Sequence, residues 1–254
     1  WPSNPAEPIN GVMVSDHYYD SKGALEEGWP MMRGTVYPPR LTQTLADLRV
    51  HPNELSREHL DPFIPLGHTI DQDKDQRLAH CTRLIADCTT IQSAATYLME
   101  NEPWDFMAAY FITIDHFSHT FMRYHPPQLE WVNDEDYELY KGCVSAAYVY
   151  HDMMLGRLVE LAGEDTTIIL MSDHGFHPDH MRRKEVPNEP AGPQAEHRDH
   201  GIFVINGPGI RKDELVHGVS LLDVTPTILT LFGLEVGEDM DGQPILEVFE
   251  EPPE

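Results

Sequence analysis

Positive charge is scarce in this sequence, where 17 Lys and Arg residues stand against 43 Asp and Glu residues and give a net charge of −26. A surface of this sign repels nucleic acids and anionic membranes, so neither polymeric nucleic acid nor a membrane surface is expected as a partner. The sequence also lacks any run of 18 apolar residues and therefore predicts no transmembrane helix. A phosphate-bearing substrate would require bound cations to offset the negative charge.

Cysteine is equally scarce. The three cysteines, Cys81, Cys88 and Cys143, form no CxxC pair and cannot all be paired within one chain. This count favours either a reducing compartment or cysteines that pack as small apolar residues.

Three nearly continuous apolar runs are typical of strands buried on both faces of a parallel sheet. They cover residues 106–114, 166–171 and 202–205. Between and around them, apolar residues recur at the three-and-four spacing of helices, over residues 58–99, 136–161 and 221–232. This alternation predicts an α/β domain with a mainly parallel sheet. We expect one domain over residues 1–254, with a looser peripheral region at 1–100 and a metal-binding core at 101–254.

Potential metal ligands follow the predicted strands, where sites of open α/β sheets are built. Asp115 ends the first run and His119 comes four residues later, while Asp173 and His174 follow the second run. A third cluster, at residues 196–201, precedes the third run and contains two more histidines. Mixed carboxylate and imidazole ligands suit zinc or manganese better than calcium. Two such ions about 3.5–4 Å apart can clamp a phosphoryl group.

Each of these residues also has a simpler explanation when it is taken alone. An Asp at a strand end often caps a turn or a helix, and His119 would be a partly buried polar residue. His177, His180 and His200 would be histidines of a surface loop. The coincidence of three clusters, each at a position where an α/β site is built, is what favours a hydrolytic metal site.

Several sequence motifs, in their order along the chain, resemble those of the type I phosphodiesterase/nucleotide pyrophosphatase branch of the alkaline phosphatase superfamily. The resemblance runs from about residue 106 to the end of the chain. The motifs are SDHGFH at 172–177, EHRD at 196–199, GIFV at 201–204, GPGI at 207–210, LLDVTPTILTLFGL at 221–234 and EDMDGQP at 238–244.

The resemblance implies an alkaline-phosphatase-like three-layer sandwich that holds two divalent ions, usually zinc, with manganese as the alternative. The family's ligand positions fall on Asp115, His119, Asp173, His174 and, for its late histidine, His197. His200 is the alternative to His197. No firm role is implied for His177 or Arg198.

The family also has a further Asp ligand and a Thr or Ser nucleophile, both near its first strand. Neither has a counterpart here: Asp16 follows what resembles a later strand, and Thr35, Thr42 and Thr44 lie in the wrong place. We therefore expect that the N-terminal portion of the fold lies outside this chain. The chain by itself is then expected to be inactive.

The expected reaction is hydrolysis of a phosphate ester, either a phosphodiester or a nucleotide pyrophosphate bond, in a small-molecule or nucleotide substrate. It would proceed in two steps through the Thr or Ser nucleophile. Sulfatases and phosphomutases share the fold, so the fold alone does not identify the substrate. The alternative from another class is a non-catalytic metal-binding or interaction domain of the same fold.

Overall fold

The computed structural model describes residues 4–20, 25 and 28–251. They form two compact units. The larger unit comprises residues 1–161 and 176–196, and the smaller unit comprises residues 162–175 and 197–254. The single domain expected over residues 1–254, with its division near residue 100, stays a prediction.

The larger unit is mainly helical. Its two short strands, β1 (Met13–Val14) and β2 (Val36–Tyr37), pair antiparallel. Its helices are α1 (Thr42–Asp47), α2 (Arg57–Leu60), α3 (Arg77–Asn101), α4 (Thr113–Phe121), α5 (Asp134–Tyr140) and α6 (Cys143–Ala162), the last of which ends at the boundary of the smaller unit. The helix expected over 136–161 is thus divided into α5 and α6.

Helix α3 confirms the predicted helical spacing over residues 77–99, whereas residues 61–76 of the same prediction form turns and a short 3-10 helix, Gly67–Thr69. Leu84, Ile85 and Cys88 are buried along it, and Pro103 follows the end of the helix, where proline cannot continue the hydrogen-bond ladder. Leu84 and Ile85 belong to one cluster with residues of the later helices, among them Phe117 and Tyr140. Burial of a side chain of this size contributes roughly 1.5–3 kcal/mol, so the cluster contributes substantially to the stability of the unit.

The cysteines are free and buried, as expected for residues that pack as small apolar groups. Cys81 and Cys143 lie side by side, with their sulfur atoms 4.0 Å apart. Burial raises the pKa of Cys88 to about 12, so its thiol is protonated at neutral pH.

The strand predicted over 106–114 is wrong. Residues 106–112 form neither helix nor strand, and α4 begins at Thr113. None of the strand pairs among the described residues includes this run, and Phe106 is 57% exposed. An apolar run becomes a buried strand only when neighbouring strands accept its backbone hydrogen bonds, and the run itself does not carry that information.

Asp87, in α3, is 8% exposed, and burial together with the charge of Asp20 raises its pKa to about 7 against the opposing effect of Arg83. The unfolded chain loses this proton near pH 4, so Asp87 lowers stability progressively between about pH 4 and pH 7. We expect Asp87→Asn to raise the free energy of unfolding by up to about 4 kcal/mol at pH 8 and by much less at pH 5. Urea unfolding at both pH values measures this difference. The exposed Asp152→Asn serves as control, and an equal gain at both pH values would contradict the prediction.

The smaller unit contains two of the predicted strands. They are β3 (Ile168–Met171) and β6 (Phe203–Asn206), which confirm strands at the apolar runs 166–171 and 202–205 to within two residues. The predicted burial on both faces is wrong, because Leu170, Met171 and Val204 are 37%, 41% and 53% exposed. The two-residue strands β4 (Gly175–Phe176) and β5 (His197–Arg198) lie between them in the chain.

The direction of the strand pairing corrects the sequence prediction. Strands β3 and β6 run antiparallel, with Ile168 opposite Asn206 and Met171 opposite Phe203. The mixed helix and strand content is consistent with an α/β fold, but the described residues form no parallel sheet. A short apolar run indicates a strand, whereas the direction of the neighbouring strand depends on the path of the connecting chain.

The last helix of the smaller unit, α7 (Val224–Leu231), follows a 3-10 turn at Leu221–Asp223. The Asp223 carboxylate accepts the backbone N–H of Ser220, and Gly233 ends the helical segment with a φ of +63°. This confirms the helix expected over 221–232 and its glycine stop. No helix among residues 4–20, 25 and 28–251 has the length and apolarity needed to cross a bilayer.

Candidate metal centre

Helix α4 presents two of the predicted ligands on one face. Asp115 and His119 are four residues apart, which places their side chains one above the other on a helix. Phe117 and Phe121 are fully buried and fix the orientation of the helix in the larger unit. Asp115 lies in the first turn, where the helix dipole stabilises a carboxylate.

The His119 ring contacts two carboxylates through its two different nitrogens. Nδ1 lies 2.9 Å from Glu196 Oε2, and Nε2 lies 3.4 Å from Asp115 Oδ1. The Phe176 ring packs edge-on against the imidazole, with the ring centroids 4.9 Å apart. The imidazole is therefore held in a defined orientation by partners from three segments of the larger unit.

The pKa of His119 is raised above its usual value. Burial alone would lower it, but the hydrogen bond to Glu196 and the negative charges of Asp115 and Glu196 outweigh that effect. The negative charges of Asp115 and Glu196 stabilise the protonated imidazole. They would also stabilise a metal cation bound to the neutral ring.

The segment that carries Glu196 is anchored by a buried arginine. The Arg182 guanidinium is enclosed in the larger unit and donates to the backbone carbonyl oxygens of Met122, His125 and Pro127, and also to that of Asp179. Farther along, Arg183 Nε donates to Ala195 O at 2.9 Å. These bonds hold a polar, proline-rich loop against the turn that follows α4.

The smaller unit forms the strand end that carries Asp173 and His174. Ser172, directly after β3, joins this end to the start of β6: its backbone N–H donates to Ile202 O, and its Oγ accepts the Ile202 N–H, both at 3.0 Å. The Asp173 carboxylate accepts the backbone N–H of His174 at 3.1 Å, and its side chain is 65% exposed. The segment 173–175 therefore begins directly after a residue that is hydrogen-bonded to the start of β6.

The late histidine of the resemblance lies beside this turn. The rings of His174 and His197 stack with their centroids 3.6 Å apart and their planes 12° from parallel. His197 is half-buried, whereas His200 is exposed. This arrangement favours His197 over His200, although the choice between them as a ligand stays a prediction.

The structure therefore brings predicted ligands together within each unit: Asp115 with His119 in the larger, and Asp173, His174 and His197 in the smaller. That all five surround one pair of ions stays a prediction. Sequence reasoning assigned no role to Glu196, the carboxylate closest to His119 Nδ1. No local pattern links Glu196 to His119, because the two residues are 77 positions apart in the chain.

Comparison with protein families gives one match over most of the chain. The model of the family described as type I phosphodiesterase / nucleotide pyrophosphatase matches residues 10–217. The matched residues include the first four of the motifs described above and every predicted ligand.

Curated relatives match shorter segments. The chain is 37% identical over 82 residues to a 2,3-bisphosphoglycerate-independent phosphoglycerate mutase of Chloroflexus aurantiacus, which is 31% of this chain and 14% of the mutase. It is 30% identical over 98 residues to the corresponding mutase of Rhodopirellula baltica, which is 38% of this chain and 17% of the mutase. The alignments thus span less than a fifth of the length of these relatives. No solved structure matches the chain significantly.

Proposed function

Because this chain belongs to the type I phosphodiesterase/nucleotide pyrophosphatase family, we propose that it forms part of a metal-dependent hydrolase of phosphate esters. The bond cleaved is a phosphodiester or a nucleotide pyrophosphate bond, as the family description indicates. The family match and the distant mutase relatives both support phosphoryl transfer as the general chemistry.

The observation that carries the proposal is the distance between Asp115 Oδ1 and His119 Nε2. At 3.4 Å it exceeds the length of a good hydrogen bond. Two ligand atoms each about 2.0–2.1 Å from one tetrahedral zinc ion lie roughly 3.3 Å apart, which is close to this spacing. Carboxylate and imidazole also form a donor set that zinc accepts. The residues present therefore fit the ion that the family implies.

From the order of the family's ligand positions in the sequence, we predict that Asp115, His119 and His197 bind one ion and that Asp173 and His174 bind the other. Two ions about 4 Å apart require ligands of the two sets to be neighbours. When bound, the ions supply the positive charge that a phosphoryl group needs and that a chain of net charge −26 otherwise lacks.

The reaction also needs a nucleophile, which we predict to be a Thr or Ser from outside residues 1–254. The ligands described above would then bind and orient the phosphoryl group without attacking it. On this proposal the chain by itself binds zinc but hydrolyses substrate far more slowly than a longer form of the protein that supplies the nucleophile.

The test measures zinc or manganese binding and the hydrolysis of bis(p-nitrophenyl) phosphate, p-nitrophenyl phosphate and p-nitrophenyl sulfate, using this chain and any longer form that its gene encodes. We expect zinc binding by both and release of nitrophenol, fastest from the diester, by the longer form. Ion binding without turnover by either would favour the non-catalytic alternative. Turnover by this chain alone, abolished by mutating one of its own Ser or Thr residues, would show that the nucleophile lies within it.

A second candidate is transfer of the phosphoryl group to another hydroxyl of the substrate, as the name of the mutase relatives suggests. The 37% identity over 82 residues favours this alternative. Phosphorus NMR of a phosphorylated hydroxy acid separates the two candidates: a mutase moves the phosphoryl group between hydroxyls, whereas a hydrolase releases inorganic phosphate.

A further inference from the structure

We propose that Glu196 is a positioning residue that holds His119 with Nδ1 protonated and Nε2 directed toward the ion. The inference rests on the proposed function, since it concerns one ligand of the proposed zinc site. The inference gives a role to Glu196, for which the sequence motifs predict none.

The two distances at the imidazole distinguish the two carboxylates. The 2.9 Å between Nδ1 and Glu196 Oε2 is that of an ordinary hydrogen bond, whereas the 3.4 Å between Nε2 and Asp115 Oδ1 is not. A neutral imidazole has one N–H and one lone pair. If the proton is on Nδ1, Glu196 accepts it, and the lone pair on Nε2 is directed toward the same space as Asp115.

This arrangement is the usual support for a metal-binding histidine. Such a histidine donates its other N–H to a carboxylate or a carbonyl, which fixes the tautomer, orients the ring and makes the ligating nitrogen more basic. Glu196 meets these conditions, because its side chain is only 16% exposed and it accepts from the ring edge opposite Asp115.

The backbone around Glu196 limits where its carboxylate can lie. Glu196 O accepts the backbone N–H of His177 at 3.3 Å, and the preceding Ala195 O is held by Arg183. Arg182 anchors the same loop to the turn after α4. The carboxylate therefore approaches His119 from a fixed segment, so its role is to orient the ring.

The experiment uses the full chain with Glu196→Ala, Glu196→Gln and, as a matched control in the same loop, the exposed Glu185→Ala. Nitrogen-15 shifts of the His119 ring in the metal-free protein report the tautomer, and the pH is raised until these shifts stop changing, because the pKa of His119 is elevated and only the neutral ring has a tautomer. Zinc affinity is measured by competition with a chelating dye. The glutamine variant retains an oxygen that accepts the Nδ1 proton.

We expect the Nδ1–H tautomer in the wild type, in Glu196→Gln and in the control, and a mixture of tautomers in Glu196→Ala. Zinc affinity should fall by about 10–100-fold in Glu196→Ala, be largely restored in Glu196→Gln and stay unchanged in Glu185→Ala. An Nε2–H tautomer in the wild type, or wild-type zinc affinity in Glu196→Ala, would overturn the inference. If the wild type binds no zinc, the proposed function fails, and the tautomer result by itself decides whether Glu196 fixes the ring.

Discussion

Replacing His119 with alanine is expected to weaken zinc binding by more than about 100-fold. Loss of a residue that only supports a ligand typically costs 10–100-fold, and loss of the ligand itself should cost more. Asp115→Asn should act in the same direction, because it keeps the shape of the side chain but removes the charge that faces the cation. Isothermal titration with zinc, on protein stripped of metal by a chelator, measures both effects.

The matched control for this prediction is His68→Ala, which removes an exposed histidine of the larger unit outside the predicted ligand set. We expect the control to bind zinc like the wild type. Circular dichroism should show unchanged helix content in all three variants, because the side chains of Asp115 and His119 are not part of the buried cluster. Wild-type affinity in His119→Ala would exclude this residue as a ligand and remove the main support for the proposed function.

Gly201→Ala is expected to disrupt the strand end in the smaller unit. A Cβ atom at residue 201 would lie 1.9 Å from the carbonyl oxygen of Ser172 and 2.6 Å from its carbonyl carbon. Both are backbone atoms, so the clash cannot be relieved by a side-chain rotation. Residues 172 and 202 are linked by two hydrogen bonds, and moving them apart would break the link between β3 and β6. We expect a loss of about 3 kcal/mol or more.

Hydrogen exchange of the amides in β3 and β6 measures this effect directly, together with the thermal unfolding midpoint. Gly209→Ala is the control in the same unit: its φ of +70° strains an alanine, but a Cβ atom there meets no heavy atom within 4 Å. The control should lose only about 1–2 kcal/mol. Equal exchange rates in the two variants would show that the close approach of residues 172 and 201 does not hold the strands together.

A local sequence pattern predicts the structure correctly where only one stable structure suits it. The spacing of Leu84, Ile85 and Cys88 permits a buried face only as a helix, and α3 forms there. The apolar run at 166–171 lies between Gly163 and the polar residues that begin at Ser172, and β3 forms within it. The motifs from residue 172 onward resemble the family on sequence alone, and the family match over residues 10–217 confirms it.

The failure at residues 106–114 shows where local pattern is insufficient. Its composition suits a central strand, but a strand needs backbone partners, and none of the described strand pairs includes these residues. The prediction of parallel pairing failed for a related reason, since β3 and β6 were identified correctly and only their relative direction was wrong.

For the candidate site, the sequence alone determined which residues have metal-binding chemistry, because carboxylates and imidazoles in the motifs of a family are recognisable without coordinates. Only the tertiary structure decided how each ring is oriented. Glu196 and His119 are 77 residues apart in the chain, yet they share a 2.9 Å contact. His174 and His197 likewise stack at 3.6 Å across an intervening loop. Such contacts depend on how distant segments pack, and the local spacing of residues contains no record of that packing.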